Sequence, residues 1–182
     1  MKQVKGSAMM HFVKAIRANK SGIYDKYFQK EDLDVISKPI MSAFWYPYET
    51  YKRCFNAVFE VVAKKDYEKV LEWGRIYGEL IMTDIYKSTL KKDCPLDHMK
   101  NAPVYIQTFF NFGHAEVKEE GPNRIRLILT DFDSDFALFF YFLRGWFQKI
   151  VELCGAKNAK CEFLEMSWIT KSNSTSYVIS WT

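Results

Sequence analysis

Gly121-Pro122-Asn123, followed by Arg124-Ile125-Arg126-Leu127-Ile128-Leu129-Thr130, is the stretch on which the fold turns. Ile125, Leu127 and Leu129 alternate with Arg124, Arg126 and Ile128, the two-residue period of a half-buried strand. With residues 115–120 ahead of the Gly-Pro-Asn turn, the pattern predicts a hairpin. Residues 134–154 then read as a very apolar helix, ended by Gly155 where glycine is favoured after a helix. Residues 159–170 and 175–181 form a second strand pair across the polar turn Lys171-Ser172-Asn173-Ser174. This ββαββ order behind a helical first half predicts an α+β fold, a small antiparallel sheet with one helix laid against it.

A helical period governs the first 112 residues. Residues 8–18 put Met9, Phe12, Val13 and Ile16 on one face, and Asn19-Lys20-Ser21-Gly22 stops that helix. Short helices are expected near 23–28 and 32–36. Pro39 and Pro47 bracket Phe44-Trp45-Tyr46, a connector too apolar for a solvated loop and therefore expected in the core. Residues 48–64 turn Tyr51, Phe55, Val58, Phe59 and Val62 inward. Residues 67–90 do the same with Val70, Trp73, Gly74, Tyr77, Ile81 and Ile85. Gly74 and Gly78 lie one turn apart, where glycine costs about 1 kcal/mol against alanine, so another backbone or a ligand is expected close by. Residues 104–112 read as a last aromatic-rich helix. The organisation expected is one domain over 1–182, with a helical half 1–112 and a ββαββ half 113–182.

Composition narrows the function classes. A chain of 182 residues suits one domain with a real core. Aromatics make up 17% of it, more than core packing requires, and the surplus is expected to line a cavity or a subunit contact, with a dense aromatic core as the alternative. The net charge of +4 is spread among acids, which argues against nucleic-acid binding. The longest uncharged apolar run, 136–143, is too short for a membrane span, and no signal-peptide pattern opens the chain. Cys54, Cys94, Cys154 and Cys161 form no CxxC, so reduced thiols and a cytoplasmic location are expected.

No motif announces chemistry. His11, His98 and His114 are dispersed, and no HxH, HExxH, CxxCH, GxSxG, GxGxxG or P-loop occurs. No catalytic residue, metal or cofactor is expected. Asp131, Asp133 and Asp135 cluster where the long helix starts, and capping of its dipole is favoured over a metal site. Arg144, Gln148 and Glu152 are expected as a solvated stripe on that helix. The candidate ligand pocket consists of Trp45, Tyr46, Trp73, Tyr77, Phe109, Phe112, Phe142 and Trp146, since ligand sites are mostly apolar. Residues 136–143 are apolar on every face, and a symmetric homodimer burying about 1,000 Å² or more is expected to cover them.

Ser42-Ala43-Phe44-Trp45-Tyr46-Pro47-Tyr48-Glu49, the Gly74–Gly78 helix and Phe112-Gly113-His114-Ala115-Glu116-Val117 carry a resemblance. Gly145-Trp146, Gly155-Ala156-Lys157-Asn158 and the terminal Trp181 extend it over roughly residues 8–181. The chain resembles uncharacterised proteins of myxobacteria and other deltaproteobacteria. These are similar in turn to the 4-vinyl reductase domain and the haem nitric-oxide-binding superfamily, which includes small subunits of the transport-protein-particle tethering complex. The resemblance implies a helical layer on a small antiparallel sheet, often dimeric, with an apolar tunnel or pocket. Haem-binding members use a proximal histidine and a Tyr-x-Ser-x-Arg motif, which this chain lacks. Paired cysteines of reductase-like members fall near Met166 and Thr175 here, which removes the thiolates a metal would need. The function expected is therefore a non-enzymatic small-molecule-binding or sensory protein with an apolar, aromatic-lined pocket. The alternative is a protein-interaction or dimerisation module of the same fold without a ligand, and an enzyme acting on a hydrophobic or tetrapyrrole-like substrate ranks third.

Overall fold

The computed structural model describes residues 1–84, 87–90 and 92–182, so the inward placement expected for Ile85 lies outside the described residues. The chain forms two compact units, one of residues 1–66 with 107–112 and one of residues 67–106 with 113–182.

In the first unit, β1 (Gln3–Lys5) pairs antiparallel with β2 (Trp45–Pro47), and Val4 also bridges Phe110. Helix α1 (Gly6–Ala18) buries Met9, Phe12, Val13 and Ile16, the face its period predicts. A 3-10 turn at Asp25–Tyr27 and α2 (Lys30–Ile36) occupy the positions expected for short helices. Helix α3 (Tyr48–Val58) packs Tyr51 and Phe55 against Phe12. Asp32 on α2 is fully buried and is held by Arg53 Nε at 2.6 Å, Thr50 Oγ1 at 2.7 Å and the Gln29 N–H at 2.9 Å. Burial alone would raise its pKa. The hydrogen bonds from Arg53, Thr50 and Gln29, with the Arg53 charge, outweigh that and bring it below the usual carboxylate value.

Two expectations fail in this unit. Val62 is 48% exposed, whereas Ala63 is fully buried. Residues Phe59–Ala63 form a π-helical turn, whose wider winding carries the inward face one residue further along than a 3.6 period would. The Phe44-Trp45 connector does not fill the core either, since Phe44 is 62% and Trp45 38% exposed. A strand turns successive side chains to opposite sides. In β2 the Trp45 ring faces out beneath the Lys5 ammonium, 4.2 Å away, while Val4 of β1 and Tyr48 at the start of α3 take the buried positions.

The second unit contains α4 (Tyr67–Asp84), α5 (Pro95–Met99), the first part of α6 (Ala102–Phe109), and a sheet of β3 (His114–Gly121), β4 (Arg124–Thr130), β5 (Lys160–Glu165) and β6 (Ser174–Ser180). All pairings are antiparallel and the order is β3-β4-β6-β5, the ββαββ arrangement expected. Ile125, Leu127 and Leu129 are buried, as alternation requires. Helix α7 (Ala137–Leu153) lies on the sheet, where Tyr177 donates from its hydroxyl to the Phe140 carbonyl at 3.0 Å. A short helix α8 (Ser167–Thr170) replaces the end of the expected strand 159–170. Trp168 there stacks on Phe140 and meets Phe163 edge-on, which draws the chain away from the ladder.

Helix α7 differs from expectation in three ways. It starts after the acidic cluster: Phe136 occupies its N-cap and no acid stands in its first turn, because Asp131 has a positive φ and turns the chain before the helix begins. Its polar stripe is clamped rather than solvated. Arg144 Nε donates to the Cys161 carbonyl at 2.6 Å, Gln148 to the Ala159 carbonyl at 3.0 Å, and Glu152 pairs with Arg75 at 2.9 Å. The run 136–143 that prompted the homodimer expectation is covered within the chain, with Phe136, Leu138, Phe139, Phe140, Phe142 and Leu143 all buried. No helix of the described residues is long and apolar enough to cross a membrane.

Candidate functional site

Helices α4 and α7 meet backbone to backbone. A Cβ at Gly74 would lie 1.9 Å from the Phe142 carbonyl oxygen, and one at Gly145 would lie 1.9 Å from that of Leu71. Gly78 faces the Trp146 ring, where a Cβ would come within 2.9 Å. The crossing uses glycine on both helices because no side chain fits between them, and Lys149–Glu79 and Arg75–Glu152 ion pairs flank it. The paired glycines thus serve close helix packing, one of the two uses their spacing allowed.

Around this crossing the second unit gathers four of the candidate pocket residues. Tyr77 packs on Phe142 with centroids 5.5 Å apart, and Trp146 lies edge-on to Tyr105 at 6.2 Å and to Phe147 at 5.0 Å. Phe142 and Trp146 are buried, while Trp73 and Tyr77 are half-buried and open one side of the group. The other four candidates belong to the first unit. Phe112 meets Tyr48 edge-on at 4.6 Å, Phe109 is buried, and the Tyr46 hydroxyl accepts the Met41 N–H at 2.8 Å. Trp45, on the exposed side of β2, stands apart from these three.

Next to Trp146 lies a buried polar pair that the sequence does not single out. His98 is fully buried on α5, and its Nε2 is 3.1 Å from the hydroxyl of Tyr105 on α6, with the rings 5.3 Å apart. Burial pushes the Tyr105 phenol above its ordinary pKa, so it stays protonated and can share its hydroxyl with the imidazole. A histidine seven residues before a tyrosine was the available signal, and neither side of it marks a motif. Near the start of α5, a surface cleft of about 280 Å³ is walled by Cys94, Pro95, Leu96, Pro122 and Trp181. Among the described residues, no three His, Cys, Asp or Glu side chains are grouped to hold a metal ion.

The chain matches no family model, and no curated protein matches it in sequence. Its fold is that of H-NOX proteins, the haem NO-binding fold. An Fe(II) unliganded H-NOX protein from K. algicida is 14% identical, with 98% of this chain and 96% of that chain superposed at a TM-score of 0.66. An oxygen-binding H-NOX domain related to soluble guanylate cyclases, in its oxygen complex, is 15% identical over 98% and 95% of the two chains at 0.65. A variant of T. tengcongensis H-NOX is 16% identical over 98% and 97% at 0.65.

Proposed function

We propose that this chain is a non-enzymatic small-molecule-binding or sensory protein that uses the H-NOX fold without haem. The observation that supports the reading is the length of the likeness: 98% of this chain follows 96% of an H-NOX protein, so the H-NOX fold runs through the whole chain.

The residues do not fit haem. Its propionates are carboxylates, best held by arginine forks, and every arginine of this chain is already engaged. Arg17 donates to the Ile36 and Lys38 carbonyls, and Arg53 grips Asp32. Arg75 grips Glu152, Arg124 and Arg126 share Glu120, and Arg144 holds the Cys161 carbonyl. The one fully buried histidine, His98, already shares its ring nitrogens with the Tyr105 hydroxyl, 3.1 Å from Nε2 and 3.4 Å from Nδ1, and so is not a free ligand for an iron.

An apolar ligand suits what is present, and we place its contact surface on Trp73, Tyr77, Phe142 and Trp146. The test uses protein expressed with added haem precursor. No Soret band should accompany it, and a fluorescent fatty-acid analogue should bind saturably and more weakly to Tyr77→Ala. One equivalent of haem would overturn the haem-free reading, and failure of every apolar probe to bind would overturn the ligand.

A specific observation favours a second reading, a dimerisation module of the same fold with no ligand. On α4, Ile76 is 57% and Leu80 39% exposed, one turn apart beside the half-buried Trp73 and Tyr77. This apolar stripe could cover its counterpart on a second copy across a two-fold axis.

A further inference from the structure

Two of the four cysteines occupy helix ends that meet. Cys94 is the N-cap of α5 and Cys154 the C-cap of α7. The Asp93 N–H donates to the Cys154 carbonyl at 2.8 Å, which ties the segment carrying one cysteine to the residue that is the other. The Cys154 thiol is raised above its ordinary pKa by its own burial and, to a lesser degree, by Cys94. Their exposures are opposite: Cys94 is exposed on the wall of the 280 Å³ cleft, whereas Cys154 is fully buried. Cys54 and Cys161 are buried elsewhere, in α3 and β5.

We propose that Cys94 and Cys154 are a reversible redox pair, with Cys94 the thiol that meets a small-molecule disulfide and Cys154 the thiol that resolves it. With glutathione disulfide as oxidant, the Cys94 thiolate attacks one sulfur, the S–S bond breaks, and one glutathione leaves as thiolate and takes up a proton. The Cys154 sulfur gives its proton to water and attacks the Cys94 sulfur, and the second glutathione leaves the mixed disulfide. One glutathione disulfide has then been reduced to two thiols while two protein thiols have been oxidised to one disulfide. Burial pushes the Cys154 thiol up to about 12, which makes resolution the slow step. The product staples the start of α5 to the end of α7. His98 donates its backbone N–H to the Cys94 carbonyl at 3.0 Å and its ring meets the Tyr105 hydroxyl, so the bond forms beside the buried His98–Tyr105 pair.

The experiment uses the full chain. In native buffer a chromogenic disulfide reagent should titrate one fast thiol, absent in Cys94→Ser. After incubation with glutathione disulfide, non-reducing peptide mapping should find residues 94 and 154 linked and the protein lighter by two hydrogens. Its thermal midpoint should rise by several degrees, reversibly on reduction. Cys154→Ser should stop with one glutathione on Cys94. Wild type that stops at that same adduct, or cross-links between chains with Cys154 free, would overturn the proposal. That readout comes from wild type and survives a variant that fails to fold.

Discussion

Replacing Gly74 by alanine sets two physical effects against each other. In an isolated helix the change would stabilise α4 by about 1 kcal/mol, because glycine is the poorer helix former. Here the new Cβ would sit 1.9 Å from the Phe142 carbonyl oxygen and 3.0 Å from the Trp146 nitrogen. An acceptable C···O contact is about 3.3 Å, so the helices must part by more than about 1 Å. The obstacle is backbone, and no side chain can swing aside. The parting would also strip contact from Gly145 against Leu71, from Gly78 against Trp146 and from Tyr77 against Phe142. A gap of about 0.5–1 Å forfeits a quarter to a half of each dispersion well. Overpacking of this kind costs about 1–3 kcal/mol, and rigid backbone puts it at the upper end. After the helix gain, the net loss expected is about 2 kcal/mol, which lowers the midpoint of a chain this size by about 4–8 °C. Urea unfolding followed by far-UV circular dichroism measures it. Gly145→Ala should cost a similar amount, and the double variant less than the sum, since one separation relieves both clashes. A Gly74→Ala protein as stable as wild type, with an unchanged denaturant slope, would refute the close-crossing argument.

Asp32→Asn leaves the Arg53 guanidinium facing a neutral amide in a buried site, and a loss of about 3 kcal/mol is expected. The folded pKa of Asp32 lies below its unfolded value, so its contribution is full above the unfolded value of about 3.9 and fades as pH falls through the folded one. The gap between wild type and variant should therefore narrow in acid; a gap independent of pH would count against the ion pair. At the π-helical turn, Val62→Ser should change stability by less than about 0.5 kcal/mol, whereas Ala63→Leu should cost about 1–3 kcal/mol. The reverse order in denaturation would restore a regular helix there. If the α4 stripe pairs two copies, light scattering should give twice the 21.5 kDa of one chain, and Leu80→Asp should halve it. A wild-type mass of one chain would exclude the dimer.

The elements themselves were legible in the residue order. Ile125, Leu127 and Leu129 alternate, and Met9, Phe12, Val13 and Ile16 recur at helical spacing, because each period must present its apolar side to one core. The ββαββ order and its antiparallel sheet followed from where those periods change. Tertiary structure decided what local pattern could not. Val62 faces out because one π-helical turn shifts the phase, and no residue type encodes that winding. Trp45 is exposed because β2 pairs with a strand some forty residues earlier, and that pairing chooses which side of the strand faces the core. Arg144 and Gln148 are spaced like a solvated stripe, yet the carbonyls of Cys161 in β5 and of Ala159 just before it lie above them. The same holds for the buried His98–Tyr105 pair and for Cys94 beside Cys154, whose chemistry depends on neighbours brought together by packing rather than by sequence distance.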